Sequence, residues 1–262
     1  MRTSLLLALA LTFAASSAMA QLSIVQQWTV SEFPGGIAYA PDDDTIWIVD
    51  DSGNTFREYT RTGTFLSSFP GTQVGTSLPV GLEYEEGSGH LWCADETTAE
   101  QVVECTKDGV FVSSFSVDAD MQDAVAIAYA NSTGLLYVGD DNASEVVSWT
   151  TGGTLMGRWT TTPYVTDTDA ICYLDASNTL LVGDDNGAVI HEFTLDGTQL
   201  TSYDMSAQLG ITGVEGLSYD PATGNVFLGD SSSPRVLYEI SGFVQATPVE
   251  PATWGSIKSQ FR

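Results

Sequence analysis

The sequence predicts an all-β fold, a β-propeller of five four-stranded blades of about 45 residues each. Three markers that recur in phase predict it. Five short apolar segments end on a tyrosine, at Tyr39, Tyr84, Tyr129, Tyr173 and Tyr219, spaced by 45, 45, 44 and 46 residues. Eleven residues after each tyrosine stands an aspartate, at Asp50, Asp95, Asp140, Asp184 and Asp230. A glycine then follows in every copy, at Gly63, Gly109, Gly153, Gly197 and Gly242.

Each unit reads as four strands. The first is of the Gly36-Ile37-Ala38-Tyr39 type, and a turn-forming loop such as Ala40-Pro41-Asp42-Asp43-Asp44 follows it. The second, Ile46-Trp47-Ile48-Val49 and its equivalents, runs into the aspartate. The third is Phe56-Arg57-Glu58-Tyr59 in the first unit and Val189 to Phe193 in the fourth. A glycine turn leads to the fourth, as in Phe65 to Phe69 and Phe111 to Phe115. These runs are rich in β-branched and aromatic residues and bounded by Gly, Asp, Asn and Pro. The fifth unit ends at Arg235 to Ile240 without a good fourth strand. Ser23 to Trp28 fits that pattern, so an N-terminal strand is expected to complete the last blade and close the ring. The alternative is six blades with one degenerate, but the period divides residues 21–244 into five.

Two segments stand outside the repeat. Residues 1–20 carry Arg2, an apolar run from Leu5 to Ala15, and Ala18-Met19-Ala20. That layout is a secretory signal peptide cleaved after Ala20, which predicts a secreted or periplasmic protein. No later stretch approaches the roughly 18 apolar residues of a membrane span. Residues 245–262 hold Pro248 and Pro251, then Trp254, Lys258 and Arg262, and read as a flexible tail or a sorting tag.

Charge narrows the function classes. The chain has 34 Asp and Glu against 8 Lys and Arg, for a formal net charge of −26. Nucleic acid binding needs basic residues to neutralise phosphates, so it is not expected. Insertion into or adsorption on anionic membranes is likewise not expected. Metal cations and neutral or cationic partners fit.

The unit Glu215-Gly216-Leu217-Ser218-Tyr219-Asp220-Pro221-Ala222-Thr223-Gly224-Asn225-Val226-Phe227-Leu228-Gly229-Asp230 resembles the repeats of the NHL, SMP-30/gluconolactonase and SdiA-regulated propellers. In lactonase-like members the metal-binding residues stand just before the first strand of a blade. Here that position holds Gly35, Val80, Val125, Asp169 and Glu215. The resemblance therefore implies Asp169 and Glu215 as ligands for Ca²⁺ or another divalent cation. Gly35, Val80 and Val125 supply no third ligand.

Strand direction places the second-strand ends and the first-strand starts on one face. The strand-end series Asp50, Asp95, Asp140, Asp184 and Asp230 lies there, with Asp51, Glu96, Asp141, Asp185, Asp123 and Asp167 close by in sequence. A strand-end aspartate caps turn N–H groups, and a residue present in every copy serves the repeat, so this series reads as mostly structural. A ring of oxygen ligands for Ca²⁺ is the alternative.

His90, in the loop before a second strand, and His191, in a third strand, are the only histidines, and spacing gives neither a Ser or Cys partner. No catalytic residue is assigned. Cys93 and Cys105, on neighbouring strands of one blade, are candidates for a disulfide, and Cys172 reads as a small buried hydrophobe. The recurring aromatics read as packing between blades.

Two functions follow as expectations. One is a non-enzymatic recognition or scaffold propeller for a protein, carbohydrate or small molecule, with Ca²⁺ as a candidate cofactor. The alternative is a metal-dependent hydrolase of lactonase or esterase type with its cation at the channel mouth.

Overall fold

The computed structural model describes residues 21–243 except Asp51 and Thr98. Residues 1–20, expected to be a signal peptide, and residues 245–262, expected to be a tail, lie outside the described residues.

Strand β1 (Ser23–Thr29) comes first in the chain and belongs to the last blade. The first blade is β2 (Gly36–Ala40), β3 (Thr45–Asp50), β4 (Thr55–Thr60) and β5 (Phe65–Pro70). The second is β6 (Pro79–Glu85), β7 (His90–Asp95), β8 (Gln101–Thr106) and β9 (Phe111–Ser116). The third is β10 (Ala124–Ala130), β11 (Leu135–Asp140), β12 (Glu145–Thr150) and β13 (Leu155–Thr160). The fourth is β14 (Thr168–Leu174), β15 (Thr179–Asp184), β16 (Val189–Thr194) and β17 (Gln199–Asp204). A short helix α1 (Met205–Leu209), capped by the Asp204 carboxylate, leads into the fifth blade. That blade is β18 (Gly216–Tyr219), β19 (Val226–Asp230) and β20 (Val236–Ser241), with β1 as its fourth strand.

Each blade is one antiparallel sheet in chain order, and β1 pairs with β20 from Ser23 opposite Ser241 to Thr29 opposite Val236. Five sheets account for the described strands, so the six-blade alternative is excluded for residues 21–243. The first strands of successive blades pack side by side around the ring.

Burial grades outward along each sheet. The second strands are buried throughout in β3, β15 and β19 and at all but the first residue in β7 and β11, because they pack on a neighbouring blade through both faces. The fourth strands form the rim and alternate or expose their side chains, as in β5 and β13. The core lies between blades: Tyr39 meets Phe227, and Trp159 meets Phe193, with ring centroids 5.1 and 5.0 Å apart. In the fourth-strand turns, Gly63, Gly109, Gly153 and Gly197 have φ of 73 to 88°. A Cβ at any of them would strike an aromatic of the preceding blade, respectively Trp28, Phe69, Phe115 and Trp159. One glycine thus makes the turn and admits the aromatic ring.

The expected Cys93–Cys105 disulfide is not formed, and both are buried thiols. The register explains this. Cys105 stands opposite Leu91 and Cys93 opposite Val103. The two cysteines are diagonal neighbours, with Cα atoms roughly 7–8 Å apart, beyond the span that a disulfide bridges without backbone movement. His90 also differs from expectation. It begins β7 and pairs through Nδ1 with Glu104 Oε1 at 2.7 Å, instead of lying in a loop.

Candidate metal centre at the channel mouth

The strand-end aspartates face this end of the ring and are held by backbone donors. Asp95 Oδ1 accepts the N–H groups of Ser77 and Leu78 at 3.0 and 2.7 Å. Asp140 accepts those of Gln122 and Ala143 at 2.7 and 2.9 Å. Asp184 accepts that of Thr166 at 3.1 Å, and Asp230 those of Thr212 and Ser232 at 3.3 and 2.9 Å. In the first blade Asp50 accepts from Ser52 Oγ and the Gly53 N–H at 2.8 and 3.3 Å. Asp95, Asp140, Asp184 and Asp230 thus tie the connection between blades to the second-strand end, whereas Asp50 caps its own turn.

Inside this ring lies a cavity of about 260 Å³. The residues at the starts of the first strands, Gly35 and Glu215 just before β2 and β18 and Val80, Val125 and Asp169 as the second residues of β6, β10 and β14, all line it, together with Phe33, Glu96, Asp123 and Asp141. At the strand-start positions blades four and five contribute Asp169 and Glu215, while Glu96, Asp123 and Asp141 bring acids from blades two and three, so acidic and apolar side chains share the lining.

Asp141, Asp167 and Asp169 each present a carboxylate oxygen within 4.8 Å of the other two. Two oxygens bound to opposite sides of one Ca²⁺ stand about 5 Å apart, so the three fit a single ion of that size. An all-carboxylate set suits a hard cation and not a soft transition metal. Asp141 follows the end of β11, while Asp167 and Asp169 flank the start of β14. The trio therefore straddles the seam between blades three and four.

The electrostatics follow from crowding. Burial, then the neighbouring charges of Asp167, Glu215 and Asp141, push the Asp169 carboxyl up to about 8, against a 3.3 Å hydrogen bond from the Asp185 N–H. Asp167 is pushed up to about 6, first by its hydrogen bond with Asp141 and then by burial. Asp123 is also raised, by burial and by Asp140 and Asp167. Protons relieve the repulsion in the metal-free protein, and a divalent cation would relieve it more fully.

Of the two ligands expected from sequence, Asp169 joins the trio. Glu215 lines the same cavity from the neighbouring blade and accepts a hydrogen bond from Ser231 Oγ. The further oxygens come from Asp141 and Asp167, two positions the repeat pattern assigned only to the acidic face. Which face acids meet is set by the blade seam, and a tandem alignment carries no signal for it. His191 lies half-buried on β16 beside Tyr164 and Phe193, and His90 is paired with Glu104, so neither joins this centre.

The SdiA-regulated family model matches residues 117–260. No curated protein sequence matches the chain. Among solved structures, the glutaminyl cyclase of Myxococcus xanthus is similar, with a TM-score of 0.66 and 15% identity over 84% of this chain and 95% of that one. A gluconolactonase from Xanthomonas campestris is similar with a TM-score of 0.59 and 17% identity, over 88% of this chain and 94% of that one. At such identities the likeness speaks for the fold.

Proposed function

Since the chain belongs to the SdiA-regulated family, we propose that it is a cation-binding recognition propeller whose ligand docks at the acidic channel mouth. One observation carries this reading: three carboxylates from two blades converge within 4.8 Å at the edge of an open cavity. Asp141, Asp167 and Asp169 would hold the ion. Glu215 would supply negative potential, or a bond through water, from the next blade. Ca²⁺ is favoured over Mg²⁺, because Mg²⁺ demands tighter octahedral spacing, with oxygens about 2.0–2.1 Å from the ion.

Calorimetry on chelator-treated full-length protein tests it. Ca²⁺ should give one-site heat, which Asp169→Asn abolishes and Asp141→Asn weakens by about tenfold or more. Binding should strengthen as the pH rises toward 8, because the Asp167 and Asp169 protons compete with the ion. Absence of heat with both Ca²⁺ and Mg²⁺ would sink the reading.

A second reading is a metal-dependent hydrolase, favoured by the open cavity beside the carboxylate trio and by the gluconolactonase among the structural neighbours. A bound divalent cation would supply Lewis-acid polarisation of an ester or lactone carbonyl. Glu215 and Asp169 would set the charge around that carbonyl. Lactone turnover by the Ca²⁺-loaded protein that disappears in Asp169→Asn would favour it over pure recognition.

A further inference from the structure

The seam that closes the ring is filled differently from the other four. In each of those, a residue of the connection between blades is buried in the apolar cluster: Val74, Met121, Val165 and Met205. Between blades five and one, the connection gives the cluster only the partly buried Val30. A groove of about 450 Å³ lies there, lined by Thr29, Val30, Ser31, Arg57, Tyr59 and Phe65. Phe65 is 51% exposed.

Arg57 breaks the repeat. It stands opposite Ile48 on β4, at the register position that Val103 and Val147 fill in blades two and three. The blade itself therefore does not require a cation there. Among the described residues Arg57 donates no hydrogen bond, and its buried Nε has no partner. The nearest carboxylate, Glu32, is 3.9 Å from that Nε and already accepts the hydroxyls of Ser31, at 2.6 Å, and Tyr59. Asp50, the other acid near Tyr59, is capped by Ser52 and the Gly53 N–H. Arg235 borders the same segment: it donates to the Ser31 carbonyl at 3.1 Å and lies over the Phe33 ring. The other described cations, Arg61, Lys107 and Arg158, each have a carboxylate at 3.0 Å or closer. In a chain of net charge −26, the two arginines without one thus flank the same stretch, Ser31 to Phe33.

Charge and shape together specify a ligand. A guanidinium offers five N–H donors in a planar fork, which a carboxylate matches with two oxygens. Arg57 is the only charged residue in the groove lining, and no acid stands in it. Exposed charges more than about 8 Å away are screened at physiological salt, so the local arginine outweighs the distant acidic face. Beside it, Val30 and the Phe65 ring offer apolar surface in a concave site, which gains by covering from a ligand body.

We propose that the closure groove binds small organic carboxylates, with the carboxylate received by the Arg57 guanidinium and an apolar body lying on Val30 and Phe65. This site shares no lining residue with the acidic mouth and does not rest on the reading of that mouth.

Three probes separate the head from the body: 3-phenylpropionate, 2-phenylethanol and acetate, each titrated calorimetrically into full-length protein near neutral pH. 3-Phenylpropionate should bind about tenfold more tightly than either of the others. Arg57→Gln should weaken it about tenfold or more, and Phe65→Ala roughly threefold. Arg57→Gln leaves the buried Glu32 without its counter-charge, so a paired variant, Arg57→Val with Glu32→Gln, repeats the test with neither charge present. Each variant is checked for a cooperative melting transition. No binding of 3-phenylpropionate, equal binding of the alcohol or of acetate, or full binding retained in both Arg57 variants would overturn the inference. Ca²⁺ heat should be the same in Arg57→Gln as in the unsubstituted protein. If that heat is absent throughout and 3-phenylpropionate still binds through Arg57, the reading of the mouth fails alone. If Ca²⁺ binds and the carboxylate preference is missing, this inference fails alone.

Discussion

Asp140 shows what one side chain does for the whole repeat. It is fully buried, and its two oxygens accept N–H groups from Gln122, before its blade, and Ala143, in its own turn. The same 18-residue reach recurs from Asp95 to Ser77, Asp184 to Thr166 and Asp230 to Thr212. Charge-assisted bonds to buried N–H groups are strong, and losing the acceptor leaves donors without partners. Asp140→Ala should therefore cost about 2–4 kcal/mol in urea denaturation, and Asp140→Asn less. A cost below about 0.5 kcal/mol, the usual range of a surface change, would refute the structural role.

Each blade docks on the one before it through its fourth-strand turn. Gly153 has φ of 80°, and a Cβ there would come within 2.7 Å of the Phe115 ring on the preceding blade. Alanine would meet both left-handed backbone strain and that clash. Gly153→Ala should lower stability by about 2–3 kcal/mol, read from the shift in urea midpoint. Gly75, which also has positive φ but nothing within 4 Å of an added methyl, is the control. There alanine meets the backbone strain alone, about 1–2 kcal/mol. Equal losses at the two sites would show that the ring contact contributes nothing.

Around the ring as a whole, scarce cations sit at joints. Arg61 of the first blade pairs with Glu239 and, at 2.8 Å, with Asp220 of the fifth. Lys107 of the second blade pairs with Asp42 and Asp43 of the first, at 2.7 Å to Asp42. Acids that take no part in these ion pairs set the pH response. Burial pushes the carboxyls of Asp169 and Glu83 up to about 8 and that of Glu100 to about 7. In the unfolded chain such groups ionise near ~4. The folded state keeps protons that the unfolded state has lost. Each group therefore contributes stability that is fully present below about pH 4 and is lost as the pH rises through the folded value. Asp220 and Glu239 have the opposite sign. Burial disfavours their charge, yet hydrogen bonds from Thr223 and Arg61 to Asp220, and from Arg61, Asn225 and Gln26 to Glu239, hold both low. Their stabilisation is present at neutral pH and is lost only in acid. Metal-free protein should thus melt highest near about pH 5 and about 3–6 °C lower at about pH 8. Asp169→Asn should recover part of that difference, and Ca²⁺ should raise the melting point more at the higher pH than at the lower. A melting point that stays flat across that range would contradict the assignment.

The ring is written along the chain. Tyrosine, aspartate and glycine recur with the period of one blade because each copy solves the same local problem: a first strand, a capped strand end and a left-handed turn. The unmatched fifth unit and Ser23 to Trp28 even made the closure by β1 legible. Asp169 and Glu215 were legible because they break the repeat. Which acids meet is a matter of packing in three dimensions. Asp141 reaches Asp167 and Asp169 across the seam between blades three and four, and that distance depends on how two sheets pack, which no spacing along the chain encodes. The same holds for Cys93 and Cys105, whose pairing was settled by a two-residue offset in strand register.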